Sequence, residues 1–77
     1  MNEITTICKK MEEKINEFCE TSTEVTSLGD AKFSIFGIPA DVQKATAFLA
    51  AGFTIDEIAE YDDEDGRFEC AFITMND

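Results

Sequence analysis

Histidine is absent from this chain, basic residues number six against seventeen acidic ones, and nothing in it approaches the length of an apolar membrane span. Each shortage removes a class of function. Without His, nucleophilic catalysis at a Ser or Cys would need Lys or a carboxylate as base, and no spacing in the chain suggests that pairing. Cys8, Cys19 and Cys70 are odd in number, show no C-x-x-C spacing and have no His to complete a zinc site. They read as small buried hydrophobes rather than as a disulfide scaffold or a metal centre, so no cofactor is expected. The four glycines lie apart, at 29, 37, 52 and 66, which leaves no glycine-rich phosphate loop. Scarcity of Lys and Arg argues against direct nucleic-acid binding, whose affinity comes mostly from cations on phosphates. The opening residues lack the apolar core of a secretory signal, and no membrane partner is expected. With free thiols, the expected location is the reducing cytoplasm.

What is present is enough to fold. A length of 77 residues allows one domain, 1–77. A hydrophobic content of 44% with seven Phe separates it from disordered acidic tails, which lack the apolar surface to offset chain entropy. Between residues 3 and 20, Ile4, Ile7, Cys8, Met11, Ile15, Phe18 and Cys19 recur at helical spacing, while Lys9, Lys10, Glu12, Glu13, Lys14, Glu17 and Glu20 occupy the other face. This predicts an amphipathic helix. Thr21-Ser22-Thr23 ends it. Two β-prone runs follow around Gly29-Asp30, which reads as a two-residue hairpin turn with Leu28 opposite Ala31 and Thr26 opposite Phe33. Phe33 and Ile35 then share one face, with Lys32, Ser34 and Phe36 on the other.

Pro39 and Asp41 suit the start of a second helix, with Val42, Ala45, Phe48 and Leu49 on its apolar face and Gly52 as its C-terminal cap. Residues 54–61 admit two readings: a helix capped by Thr54 with Glu57 three residues on, or a strand, which is favoured for the later half. The strand reading follows from what comes next. Asp62-Asp63-Glu64-Asp65-Gly66 is an acidic turn, and in Arg67–Met75 the residues Phe68, Cys70 and Phe72 alternate as in a strand that needs a neighbour. The expected fold is therefore α+β, in the order α-β-β-α-β-β, with two helices packed on one face of a four-stranded antiparallel sheet.

Charge is distributed unevenly. Residues 1–50 hold eight acids and five bases, whereas residues 51–77 hold nine acids and one base. Asp56, Glu57, Glu60, Asp62, Asp63, Glu64 and Asp65 place seven carboxylates within ten residues with no cation among them. Such a run serves either to solubilise a loop or to match a basic partner. Asp63, Asp65 and Gly66 fit part of a calcium loop, but Tyr61 and Phe72 stand where its first ligand and its bidentate Glu belong. Residues 48–59 resemble a helix–turn–helix, with Gly52 in the turn, and also the Gly-Phe turn of ubiquitin-binding three-helix modules. Asp56, Glu57 and Glu60 on the would-be recognition helix would repel phosphates, so a DNA reader is not expected.

In overall character the chain resembles the small acidic inhibitors that phages encode against host defence, the anti-CRISPR and DNA-mimic proteins. The resemblance covers the whole chain and rests on its acidity and its lack of catalytic groups. It implies a non-enzymatic protein whose carboxylates Asp56, Glu57, Glu60, Asp62, Asp63, Glu64, Asp65 and Glu69, with Asp41 a further candidate, occupy the basic surface of a nucleic-acid-binding partner in the host cytoplasm. The rival expectation is a small structural or adaptor module that completes its core as a homodimer, through an edge strand or through Phe36 and Phe53.

Overall fold

A computed structural model describes residues 3–76 of the chain. Along it run α1 (Glu3–Cys19), β1 (Glu24–Gly29), β2 (Lys32–Gly37), α2 (Pro39–Leu49), β3 (Phe53–Asp63) and β4 (Gly66–Met75). The four strands form one antiparallel sheet in the order β1-β2-β4-β3, so the fold is α+β. The chain passes through α2 before β3, and this crossover leaves room for β4 between β2 and β3.

α1 forms because its apolar residues recur at 3 and 4, and it buries Cys8 and Ile15 with Met11 and Cys19 half-buried behind them. Ile7 and Phe18 depart from the expected stripe: Ile7 is exposed, and Phe18, 75% exposed, lies against Phe48 of α2, itself exposed rather than on a buried face, with ring centroids 5.0 Å apart. The side chain of Ile4, also assigned to that stripe, falls outside the described residues. The helix ends with Glu20 at φ +56° and a hydrogen bond from Thr21 N–H to the Asn16 carbonyl at 3.1 Å, a Schellman-type stop without the usual glycine. Asn16 then organises the linker. Its Oδ1 accepts from Thr21 Oγ1, Thr23 N–H and Thr23 Oγ1 at 2.8–2.9 Å, while its Nδ2 donates to the Thr23 carbonyl at 3.1 Å. Gly37 lies against this linker. A Cβ there would sit 3.3 Å from Thr23 Cγ2 and 3.4 Å from the Ser22 carbonyl oxygen, tighter than ordinary packing.

The β1–β2 hairpin turns one residue later than expected. Gly29 pairs with Lys32, and the turn is Asp30-Ala31, both at positive φ (+50° and +62°), as a type I′ turn requires. The slip is absorbed between Ser27 and Gly29, where Leu28 bulges out and Gly29 takes φ +85°. Thr26 therefore faces Ser34, and Ser27 faces Phe33.

α2 starts at Pro39, whose fixed φ suits the first turn, and Asp41 there accepts a hydrogen bond from Ser22 N–H at 3.1 Å. Gly52 is not the left-handed cap the sequence suggested. The helix closes at Ala50 in right-handed geometry, and Gly52 N–H returns to the Leu49 carbonyl at 3.0 Å. Residues 53–63 are strand throughout, so the helical reading of 54–61, and with it the helix–turn–helix and three-helix likenesses, is overturned. The reason is tertiary: nearly the whole of β3 finds register with β4, from Phe53 opposite Met75 to Asp63 opposite Gly66, which outweighs a local capping signal.

Strand alternation separates two faces. Phe33, Ile35, Ala71 and Ile73 fall on one, where they join Cys8, Ile15, Val42, Ala45 and Leu49 in the buried core. Phe53 closes that core at one side, edge-on to Phe33 at a centroid distance of 6.2 Å. On the other face lie Phe36, Phe68, Cys70 and Phe72.

Candidate functional site

The β3–β4 hairpin outruns the rest of the sheet. β2 pairs with β4 only from Gly37 opposite Glu69 to Lys32 opposite Thr74, so Tyr61–Phe68 form a two-stranded ribbon beyond the end of β2. The ribbon carries Asp62–Asp65 into the open, while Asp56, Glu57 and Glu60 lie before it on β3, the edge strand of the sheet. Asp56, Glu57, Glu60, Asp62, Asp63, Glu64 and Asp65 are all exposed. Asp62 faces Arg67 across the ribbon and forms an ion pair at 3.2 Å between two well-exposed side chains, worth little in water. Glu64 N–H donates to Asp63 Oδ1 at 2.6 Å, which shapes the tip, and Gly66 supplies φ +130° as the chain turns back. At the other end of the run Asp56 accepts a hydrogen bond from Thr74 Oγ1.

These carboxylates do not form a single plane. A shift in register between Ile55 and Glu57 resets the alternation, so that Glu57 lies opposite Phe72 and Glu60 opposite Glu69. Glu57 and Asp63 consequently belong to the face of Phe36 and Phe72, Glu60 and Asp62 to the core face, and Glu64 and Asp65 to the tip. Glu69 stands apart. It is 6% exposed, its Oε1 has no hydrogen-bond partner among the described residues, and it offers almost no surface to a partner. Asp41 is half-buried and engaged with Ser22.

Sequence periodicity did not disclose the aromatic cluster beside the acids. Phe36 stacks on Phe68 with centroids 5.4 Å apart and planes 17° from parallel, and Tyr61 lies 6.4 Å from Phe36. The signal was present in the alternation of Phe68, Cys70 and Phe72 and in the position of Phe36 away from Phe33 and Ile35. What could not be read was that β4 lies between β2 and β3, which brings Phe36 and Tyr61 to Phe68 from opposite sides. Phe53, expected to be available for self-association, is instead part of the core packing.

Cys8 and Cys70 are buried and Cys19 is half-buried. Burial pushes the Cys8 and Cys70 thiols above their ordinary value of 9.0, with hydrogen bonds to Ser27 and Ser34 respectively acting the other way. Among the described residues no three His, Cys, Asp or Glu side chains converge to hold a metal ion. No helix of the described residues is long and apolar enough to cross a membrane. No protein-family model, curated protein or solved structure matches this chain.

Proposed function

We propose that the chain is a non-enzymatic acidic binding protein that acts in the cytoplasm by occupying the basic, nucleic-acid-binding surface of a partner, as anti-CRISPR and other DNA-mimic inhibitors of phages do. In this reading two helices packed on one face of the sheet, in the order α-β-β-α-β-β, serve as a scaffold for the acidic hairpin. The observation that carries the proposal is that seven exposed carboxylates ride on one hairpin that outruns the sheet, with Arg67 the sole cation in its sequence. A solvated linker would carry such charge on irregular chain. Here Glu57, Glu60, Asp62 and Asp63 stand on paired backbone and Glu64 and Asp65 on the tight turn between the strands, so the chain that bears them is ordered before it meets a complementary surface. Complementary charge would speed encounter and exclude acidic competitors.

The rival reading, a module that self-associates through apolar surface, draws support from the exposure of Phe18 and Phe36. One variant separates them. With Asp62→Asn, Asp63→Asn, Glu64→Gln and Asp65→Asn together, capture of a nucleic-acid-processing protein from a host lysate should be lost while the fold, followed by circular dichroism, is retained. Undiminished capture by this variant would refute the charge-based reading.

A further inference from the structure

We propose that the sheet face opposite the core is the docking surface, and that its occupant is an arginine-bearing segment of a basic protein seated on Phe36, Tyr61, Phe68 and Phe72. The inference deepens the charge-based reading and rests on it. That reading places contact on the acidic run from Asp56 to Asp65, which ends at the hairpin tip. The structure puts beside the tip a surface better suited to hold a partner than carboxylates alone.

Three observations bear on the occupant. The first is an exposed aromatic cluster: Phe36 and Tyr61 are 38% and 48% exposed and gather with Phe68 on one face, whereas the exposed rings of the helices, Phe18 and Phe48, form only a pair. They lie with Phe68 in one tilted and one nearly parallel arrangement, so π-faces and edges are presented together. The second is the border. Across the register of this face, Glu24 on β1 is opposite Phe36, Glu57 on β3 is opposite Phe72, and Asp63 closes the far end of the ribbon. Asp56 lines a shallow depression on the same face with Glu57, Phe72, Leu28 and Lys32, and Lys32 is the only base that strand alternation places there. The third is total charge, −11 per chain.

These features discriminate among occupants. A second copy would bring its own carboxylate border against this one, and like-charge juxtaposition is strongly unfavourable. A single-stranded nucleic acid could stack bases on the rings, but its phosphates would meet Glu24, Asp56 and Glu57 where such sites normally present cations. A guanidinium satisfies both parts of the surface. It stacks on an aromatic face, and its N–H donors reach carboxylates at the border in paired geometry. Lysine would satisfy the charge but gain less from the rings.

The test is NMR titration of the full chain with an oligo-arginine peptide, an oligo-lysine peptide and an oligouridylate at about 0.1 M salt, where exposed charges are screened beyond about 10 Å. Oligo-arginine should perturb Phe36, Phe68, Cys70 and Phe72 amides most and bind more tightly than oligo-lysine. Phe36→Ser should weaken that binding about tenfold, the scale of losing a stacked cation. Should Phe36→Ser fail to fold, Tyr61→Ala, on the exposed ribbon, gives the same reading. Perturbation confined to Asp62–Asp65, with both aromatic variants binding normally, would overturn the aromatic docking face and leave the charge-based reading standing. Absence of oligo-arginine binding would overturn both. Binding of oligouridylate at the rings, or a dimer dispersed by Tyr61→Ala, would overturn the choice of occupant.

Discussion

Asn16 Oδ1 takes the hydrogen bonds that the linker between α1 and β1 has no internal acceptor for, and two of its three donors come from Thr23, which is buried. Truncation would leave a buried N–H and hydroxyl without partners, each costing about 1–3 kcal/mol. Asn16→Ala should therefore lower unfolding free energy by about 2–4 kcal/mol, measured in urea. The buried thiols make a second residue-scale prediction. Because burial raises the Cys8 and Cys70 pKa values in the fold, the unfolded chain loses its thiol protons first as pH rises. Their contribution to stability is complete below the ordinary thiol value of 9.0 and is lost as pH climbs through the raised values. Urea midpoints should fall as pH rises above about 9, and the double variant Cys8→Ala, Cys70→Ala should flatten that fall.

At the scale of elements, the β1–β2 turn stores strain that one substitution can relieve. Ala31 sits at φ +62°, a conformation costing an L-residue with a Cβ roughly 1–2 kcal/mol. Glycine removes that cost and returns part of it as unfolded-chain entropy, so Ala31→Gly should stabilise by about 0.5–1 kcal/mol, seen as a higher urea midpoint. The same turn shows why register was only partly legible. Gly29-Asp30 is the better two-residue turn by residue type, yet the chain turns at Asp30-Ala31, and a bulge at Leu28 keeps Phe33 and Ile35 on the core face despite the slip. Helix positions were readable because their apolar spacing is local. The whole-length strand at 53–63 was not, because its identity is settled by β4, a segment that comes later in the chain. The acidic run itself could be read residue by residue. Its division among two faces and a tip could not, since that follows from the irregularity between Ile55 and Glu57. Nor did the sequence disclose that Glu69 is buried, because alternation alone leaves open which face of β4 meets the core.

Across the whole molecule, an excess of negative charge is concentrated on the β3–β4 hairpin. A net charge of −11 on 77 residues opposes compactness by self-repulsion and favours solubility. The central claim is that this charge meets a basic, nucleic-acid-binding partner. It is tested most directly by capturing the partner from a host lysate on the immobilised chain at about 0.1 M and about 1 M salt, where screening lengths fall from about 10 Å to about 3 Å. The account predicts a nucleic-acid-processing protein held at the lower salt, released at the higher, and displaced by added DNA or RNA. Self-association alone, unchanged by salt, would contradict it.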